Sequence, residues 1–274
     1  MAFQSLSAEK VRGDFQFLEG PVWVPARNEL LFSDIPASRI YRYSPATNSF
    51  SVFREPSGQA NGNALDPQGR LVTCEHEHRR ISRTAPDGTV VALATHYERK
   101  RLNSPNDVVC KSDGSVYFSD PPYAVKPELR ELDFQGVFRA TSDGKTLTLL
   151  ARDFVKPNGL AFSPGEKILY IADTELGHIR AFDVNADGSI VNSRVFCNVE
   201  RPDGFRVDAE GSLYICAMKS VEIFNRTGTK RGDITLPERP ANVAFGDPDR
   251  QTLYICARTS LYRARLNVPG VRMP

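Results

Sequence analysis

The chain has 274 residues, with 35 Lys and Arg against 33 Asp and Glu, for a formal net charge of +2. So even a balance asks for neither nucleic acid nor an anionic membrane as partner. The start MAFQSLSAEKVRG has no apolar signal core and no stretch is long enough to span a bilayer, so a cytoplasmic protein is expected.

In chain order, the sequence reads as six equivalent units. Each opens on a polar residue at the start of a strand: Glu19 in EGPVW, Asn61 in ANGNALD, Asn106 in PNDVV, Asn158 in PNGLAF, Asp203 in PDGF and Asn242 in ANVAF. The intervals are 42, 45, 52, 45 and 39 residues, a period that marks a repeat architecture. A short apolar run follows each anchor, from LLFSD (30–34) and RLVTCE (70–75) through to TLYICA (252–257). A third run comes next, RIYRYSP (39–45) in the first unit and SLYRARL (260–266) in the last. Fourth runs such as SFSVF and RGDITL complete five units, and turn sequences such as DPQG, SDG and ADG separate the strands. No sustained pattern of helical period occurs. Six units of four strands predict an all-β chain, a six-bladed β-propeller of four-stranded antiparallel blades, occupying 1–274 as one domain. The sixth unit ends after Leu266 with three strands, while residues 5–17 precede the first anchor. The ring is therefore expected to close with an N-terminal outer strand on the last blade, which removes an exposed edge.

Because strands alternate in direction, the six anchors share a mouth with the loops that follow the second strands. Those loops carry Asp34, Glu75-His76, Asp120 to Tyr123, Asp173 to Glu175, Met218-Lys219 and Arg258. The longest, from Asp120 to about Gln135 in the third unit, suits a lid or specificity loop. Among the anchors, Glu19, Asn158 and Asp203 offer two negative charges and hard oxygen donors, with Asn106 as a fourth. Such donors suit Ca²⁺, Mg²⁺ or Mn²⁺ better than a structural zinc site, and four protein ligands leave room for water or substrate. Singly, Asn-Gly and Asp-Gly are turn formers; recurrence at equivalent positions argues for more.

Other constellations carry less. Cys74, Cys216 and Cys256 occupy one position in their second strands, as small hydrophobes between blades would, and Cys110 and Cys197 make no CxxC pair with them. His76 and His78 in EHEHRR lack a third zinc ligand nearby. Arg99-Lys100-Arg101 reads as a solvated loop, and no GxSxG elbow is present.

EGPVW, LNSPNDVV, KPNGLAFSP and RPDGFRVD, in that order, resemble the gluconolactonase / senescence marker protein (regucalcin) / luciferin-regenerating enzyme family over essentially the whole chain. GQANGNALDPQGRLVTCEH and YFSDPPY are more similar to its bacterial gluconolactonase branch. The resemblance implies a propeller with one divalent cation near its axis, Ca²⁺ first, with Mn²⁺, Mg²⁺ or Zn²⁺ as alternatives. It implies Glu19, Asn158 and Asp203 as ligands, Asn106 as a ligand or close contact, and Asp203 as general base. It also implies a small-molecule sugar lactone as substrate. The same metal and carboxylate would serve a metal-dependent esterase or phosphotriesterase, and because propellers are frequent scaffolds a non-catalytic metal-dependent binding protein is a further alternative. Where the animal branch has an arginine two residues before the Asn106 position, this chain has Ser104, so that branch's substrate contacts do not carry over. Asn61, His76, Tyr123 and Glu175 are the candidates for holding sugar hydroxyls.

Overall fold

In a computed structural model, which describes residues 4–272, six sheets built on four-stranded antiparallel meanders stand around a common axis. Residues 1–3 and 273–274 of the expected 1–274 domain lie outside the described part. Blade one runs Leu18–Val24, Glu29–Asp34, Arg39–Ser44 and Ser49–Arg54, and the other blades repeat that meander outward from the axis. Burial follows the same direction. Leu18–Val24 is buried at every position, whereas Ser49–Arg54 is exposed or half-buried throughout. Inner strands have a neighbouring blade on each face, so they are buried along their length, polar anchors included; outer strands face water. The only helical segments among the described residues are the short 3₁₀ turns Pro25–Arg27 and Pro127–Leu129.

Closure is as expected. Glu9–Arg12 pairs antiparallel with Ser260–Arg265 and becomes the outer strand of blade six. The same N-terminal segment does something the sequence did not reveal: Gln4–Ser7 pairs parallel with Lys230–Thr235, as a fifth strand on blade five. One stretch of chain thus ties two adjacent blades together. A second departure concerns Arg99-Lys100-Arg101, which is not a plain loop. His96–Tyr97 and Lys100–Arg101 form a two-stranded hairpin turned by Glu98 and Arg99, both with positive φ.

The core is divided among the blade junctions, with one apolar cluster between each neighbouring pair. Cys74, Cys216 and Cys256 are fully buried in three of these clusters, as their shared strand position suggested. Three second strands end in a buried aspartate that clamps the chain entering its own blade. Asp34 accepts from the N–H groups of Gln16 and Phe17, Asp120 from Asn103, and Asp173 from Val155 and Lys156. Each clamp grips the backbone two or three residues before the anchor, so the anchor's direction is set by the blade behind it.

Near the axis, each inner strand presses on the next. Gly62, directly after Asn61, donates its N–H to the Asn106 carbonyl at 2.9 Å. A Cβ at Gly62 would lie 2.6 Å from that carbonyl oxygen and 2.6 Å from the Asp107 Cα. At Gly204, after Asp203, a Cβ would fall 2.1 Å from the Asn242 amide carbon. These glycines follow their anchors because the neighbouring blade leaves no room for a side chain. Gly62→Ala is therefore expected to cost about 2 kcal/mol, since the obstruction is backbone and cannot swing aside. Urea unfolding would check it, and an unchanged midpoint would contradict the steric account.

Candidate active site

The mouth that holds the anchors contains a cavity of about 390 Å³. Glu19, Asn61, Asn106, Asn158 and Asp203 line it, together with His76, Tyr123 and Thr174. Three asparagines on consecutive blades form a relay. Asn61 Nδ2 donates to Asn106 Oδ1 at 2.7 Å, and Asn106 Nδ2 donates to Asn158 Oδ1 at 2.7 Å. Asn158 Nδ2 then donates to the Tyr123 hydroxyl at 3.1 Å and to Thr174 Oγ1 at 3.0 Å. The relay fixes where each amide oxygen points and leaves each engaged carbonyl a second lone pair.

Glu19 closes the ring from the other side. Its Oε2 accepts from the Gly20 N–H at 2.8 Å and from Asn242 Nδ2 at 3.0 Å. Burial, the charge of Asp203 and the charge of Asp107 together hold its carboxyl well above the usual carboxylate range. Burial also pushes Asp203 up, to about 6, although the Arg239 guanidinium 3.7 Å away pulls in the opposite direction. Deeper along the axis, Asp107 pairs with Arg206 at 3.5 Å and accepts from Asn242 at 3.4 Å.

The residues present fit a divalent cation. The charge of Asp203 raises the proton affinity of Glu19, and that of Asp107 raises both, which a bound positive charge would reverse. Asn61 Oδ1, moreover, is buried with no hydrogen-bond partner. No group of three or more His, Cys, Asp and Glu side chains is arranged to hold a metal among the described residues. Zinc through His76 and His78 is not what the loop builds. His78 Nδ1 instead lies 2.6 Å from Glu75, within an ion cluster with Arg54 and Arg80.

Of the residues singled out from sequence, Glu19, Asn61, His76, Asn106, Tyr123, Asn158 and Asp203 all reach this one cavity. His76 is only 6% exposed and is not a solvated loop residue. Its Nε2 lies 3.1 Å from Asn61 Nδ2, and burial lowers its pKa to about 4, so it is neutral near pH 7. Tyr123 comes from the long third-blade loop and brings that loop over the cavity. Glu175 is not brought to the cavity wall: it is exposed and engages Lys156 at 3.0 Å and Arg201 at 3.4 Å. Missed from sequence were Thr174, Arg201 and Arg239, all of which line the cavity. The arginines had a visible signal, since RPD and RPAN place a base just before the anchors Asp203 and Asn242.

Comparison with known proteins agrees with this architecture. The family described as SMP-30/Gluconolactonase/LRE-like region matches residues 17–259. A gluconolactonase of Zymomonas mobilis is 32% identical, over 97% of this chain and 83% of that protein. The solved structure of a gluconolactonase from Xanthomonas campestris superposes with a TM-score of 0.87 at 35% identity, covering 95% of this chain and 88% of that one. A calcium-binding regucalcin from Agrobacterium tumefaciens, at 17% identity, shares the fold with a TM-score of 0.86, covering 100% of this chain and 98% of that one. The chain belongs to the SMP-30/gluconolactonase/LRE-like family.

Proposed function

We propose that this protein is a lactonase that opens sugar lactones to aldonic acids with a divalent cation bound at the propeller mouth. The observation that carries the reading is the pairing of Glu19 and Asp203, two carboxylates of raised proton affinity, in one cavity with an ordered row of amide groups. The gluconolactonases among its relatives support the lactone as substrate class. Glu19, Asn158 and Asp203 would hold the cation, with Asn106 as a fourth donor. The chemistry such a cation supplies is polarisation of the lactone carbonyl and a lowered pKa for a water beside it.

The chain's own groups supply the rest. A lactone is an activated ester, so water can attack its carbonyl carbon directly and no covalent nucleophile is required. Asp203 lines the same cavity, a bound cation would keep it ionised near neutral pH, and its carboxylate takes the proton of the attacking water. The same carboxyl returns that proton to the ring oxygen as the acyl C–O bond breaks. One water is consumed, and the acid formed loses its own proton to solvent. Arg239 keeps Asp203 from protonating at still higher pH and orients it. Neutral His76, Asn61 and Tyr123 offer donors and acceptors to the sugar hydroxyls, in a cavity whose size suits a small ligand.

Two substitutions test the assignment. Asp203→Asn is expected to lower kcat by at least about a hundredfold, the span of general-base catalysis, while the protein stays folded. Near-normal turnover would remove Asp203 as the base. Glu19→Gln should weaken divalent-cation binding at least about tenfold by calorimetry, and should also make the chelated protein more stable by roughly 1 kcal/mol, because a buried repulsion is gone. Unchanged affinity would take Glu19 out of the donor set.

A further inference from the structure

The charge around the mouth is lopsided. Blades four, five and six place Lys156, Arg201 and Arg239 two or three residues before their anchors, and Arg258 follows the second strand of blade six. Arg201, Arg239 and Arg258 line the cavity, and the Lys156 ammonium sits 5.1 Å from the ring centre of Tyr123, which lines it too. The opposite arc, from blades two and three, presents only neutral groups: Asn61, His76, Asn106 and Tyr123.

These cations outnumber the acids available to them. Glu175 is shared between Lys156 and Arg201, at 3.0 and 3.4 Å. Arg239 has Asp203, at 3.7 Å. Arg258 has no acidic partner among the described residues; its guanidinium lies 5.9 Å from the Phe17 ring centre. A neutral aldonolactone offers hydroxyls, which the amides of the other arc already match. A guanidinium without a counter-ion at a cavity rim matches a planar or tetrahedral anion, to which it can donate two parallel hydrogen bonds.

Resting on the lactonase reading, we propose that the preferred substrate is a lactone that itself carries an anionic group. That group, a carboxylate or a phosphate ester, sits on the end of the chain away from the ring carbonyl. Arg258 and Arg201 hold the anion while the hydroxyls face Asn61, His76 and Tyr123. The ring carbonyl is thereby directed toward Glu19 and Asp203 on the cavity floor. Arg258 and Arg201 are specificity-determining residues in this arrangement and take no part in proton transfer.

The test is a comparison of kcat/KM for three lactones in the presence of divalent cation: D-glucono-1,5-lactone, a D-glucarolactone and 6-phospho-D-glucono-1,5-lactone. At least one anionic lactone is expected to exceed the neutral one by about tenfold or more, the effect of one charge-assisted hydrogen-bonded contact. Which one does so distinguishes carboxylate from phosphate. The anionic-to-neutral ratio should fall toward one in Arg258→Met and Arg201→Met, both exposed positions at which the fold has little at stake. Equal efficiency on all three lactones, or a preference that survives both substitutions, would overturn this proposal and leave the lactonase reading standing. Failure to hydrolyse any lactone above the spontaneous rate would overturn both.

Discussion

The structure depends on how closely six inner strands can approach one axis. Where Asn61 and Asp203 stand, the next residue is glycine, because the anchor segment of the following blade occupies the space a Cβ would need. That approach brings side chains from blades far apart in sequence within hydrogen-bond reach. Asn106 and Asn158 are 52 positions apart, yet their amides meet at 2.7 Å. Glu19 and Asn242, from the first and last blades, meet at 3.0 Å across the seam of the ring. A looser ring would leave the same residues as separate turn formers.

Tight closure also determines the electrostatics. Residues at the axis are screened from water by six blades, so a carboxylate there loses hydration and feels its neighbours strongly. Glu19 and Asp203 both gain proton affinity for this reason, and the asparagine relay around them supplies oriented dipoles without further charge. The second-strand aspartates lie near the same mouth but play another part. Asp34 and Asp173 spend both oxygens on backbone N–H groups and Asp120 spends one, and in doing so they hold the anchors in line. The same residue type thus serves as scaffold when its lone pairs are filled from its own blade, and as chemistry when they are left facing the cavity.

Much of this was legible in the chain because a ring repeats its local instructions. The anchors, the apolar second strands and the missing twelfth-hour outer strand of blade six all follow from period and pattern, and seven proposed site residues meet in one cavity. What could not be read depends on contacts between distant segments. The parallel pairing of Gln4–Ser7 with Lys230–Thr235 leaves no periodic trace, since a short edge strand needs only a free partner. Asn-Gly and Asp-Gly look like turns in sequence, and only the neighbouring blade shows that Gly62 and Gly204 answer to crowding. Glu175 shares a loop with Thr174, yet only Thr174 turns into the cavity, and loop rotation of that kind is not written in residue type.

Cation-dependent lactone hydrolysis at this mouth is what we propose. The most direct measurement follows acid release from a lactone panel with a pH indicator, on protein stripped by chelation and then resupplied with Ca²⁺, Mn²⁺, Mg²⁺ or Zn²⁺. Turnover is expected to be lost on chelation and to return, well above spontaneous hydrolysis, with at least one of these ions. Turnover that survives chelation, or background rates under every condition, would contradict it.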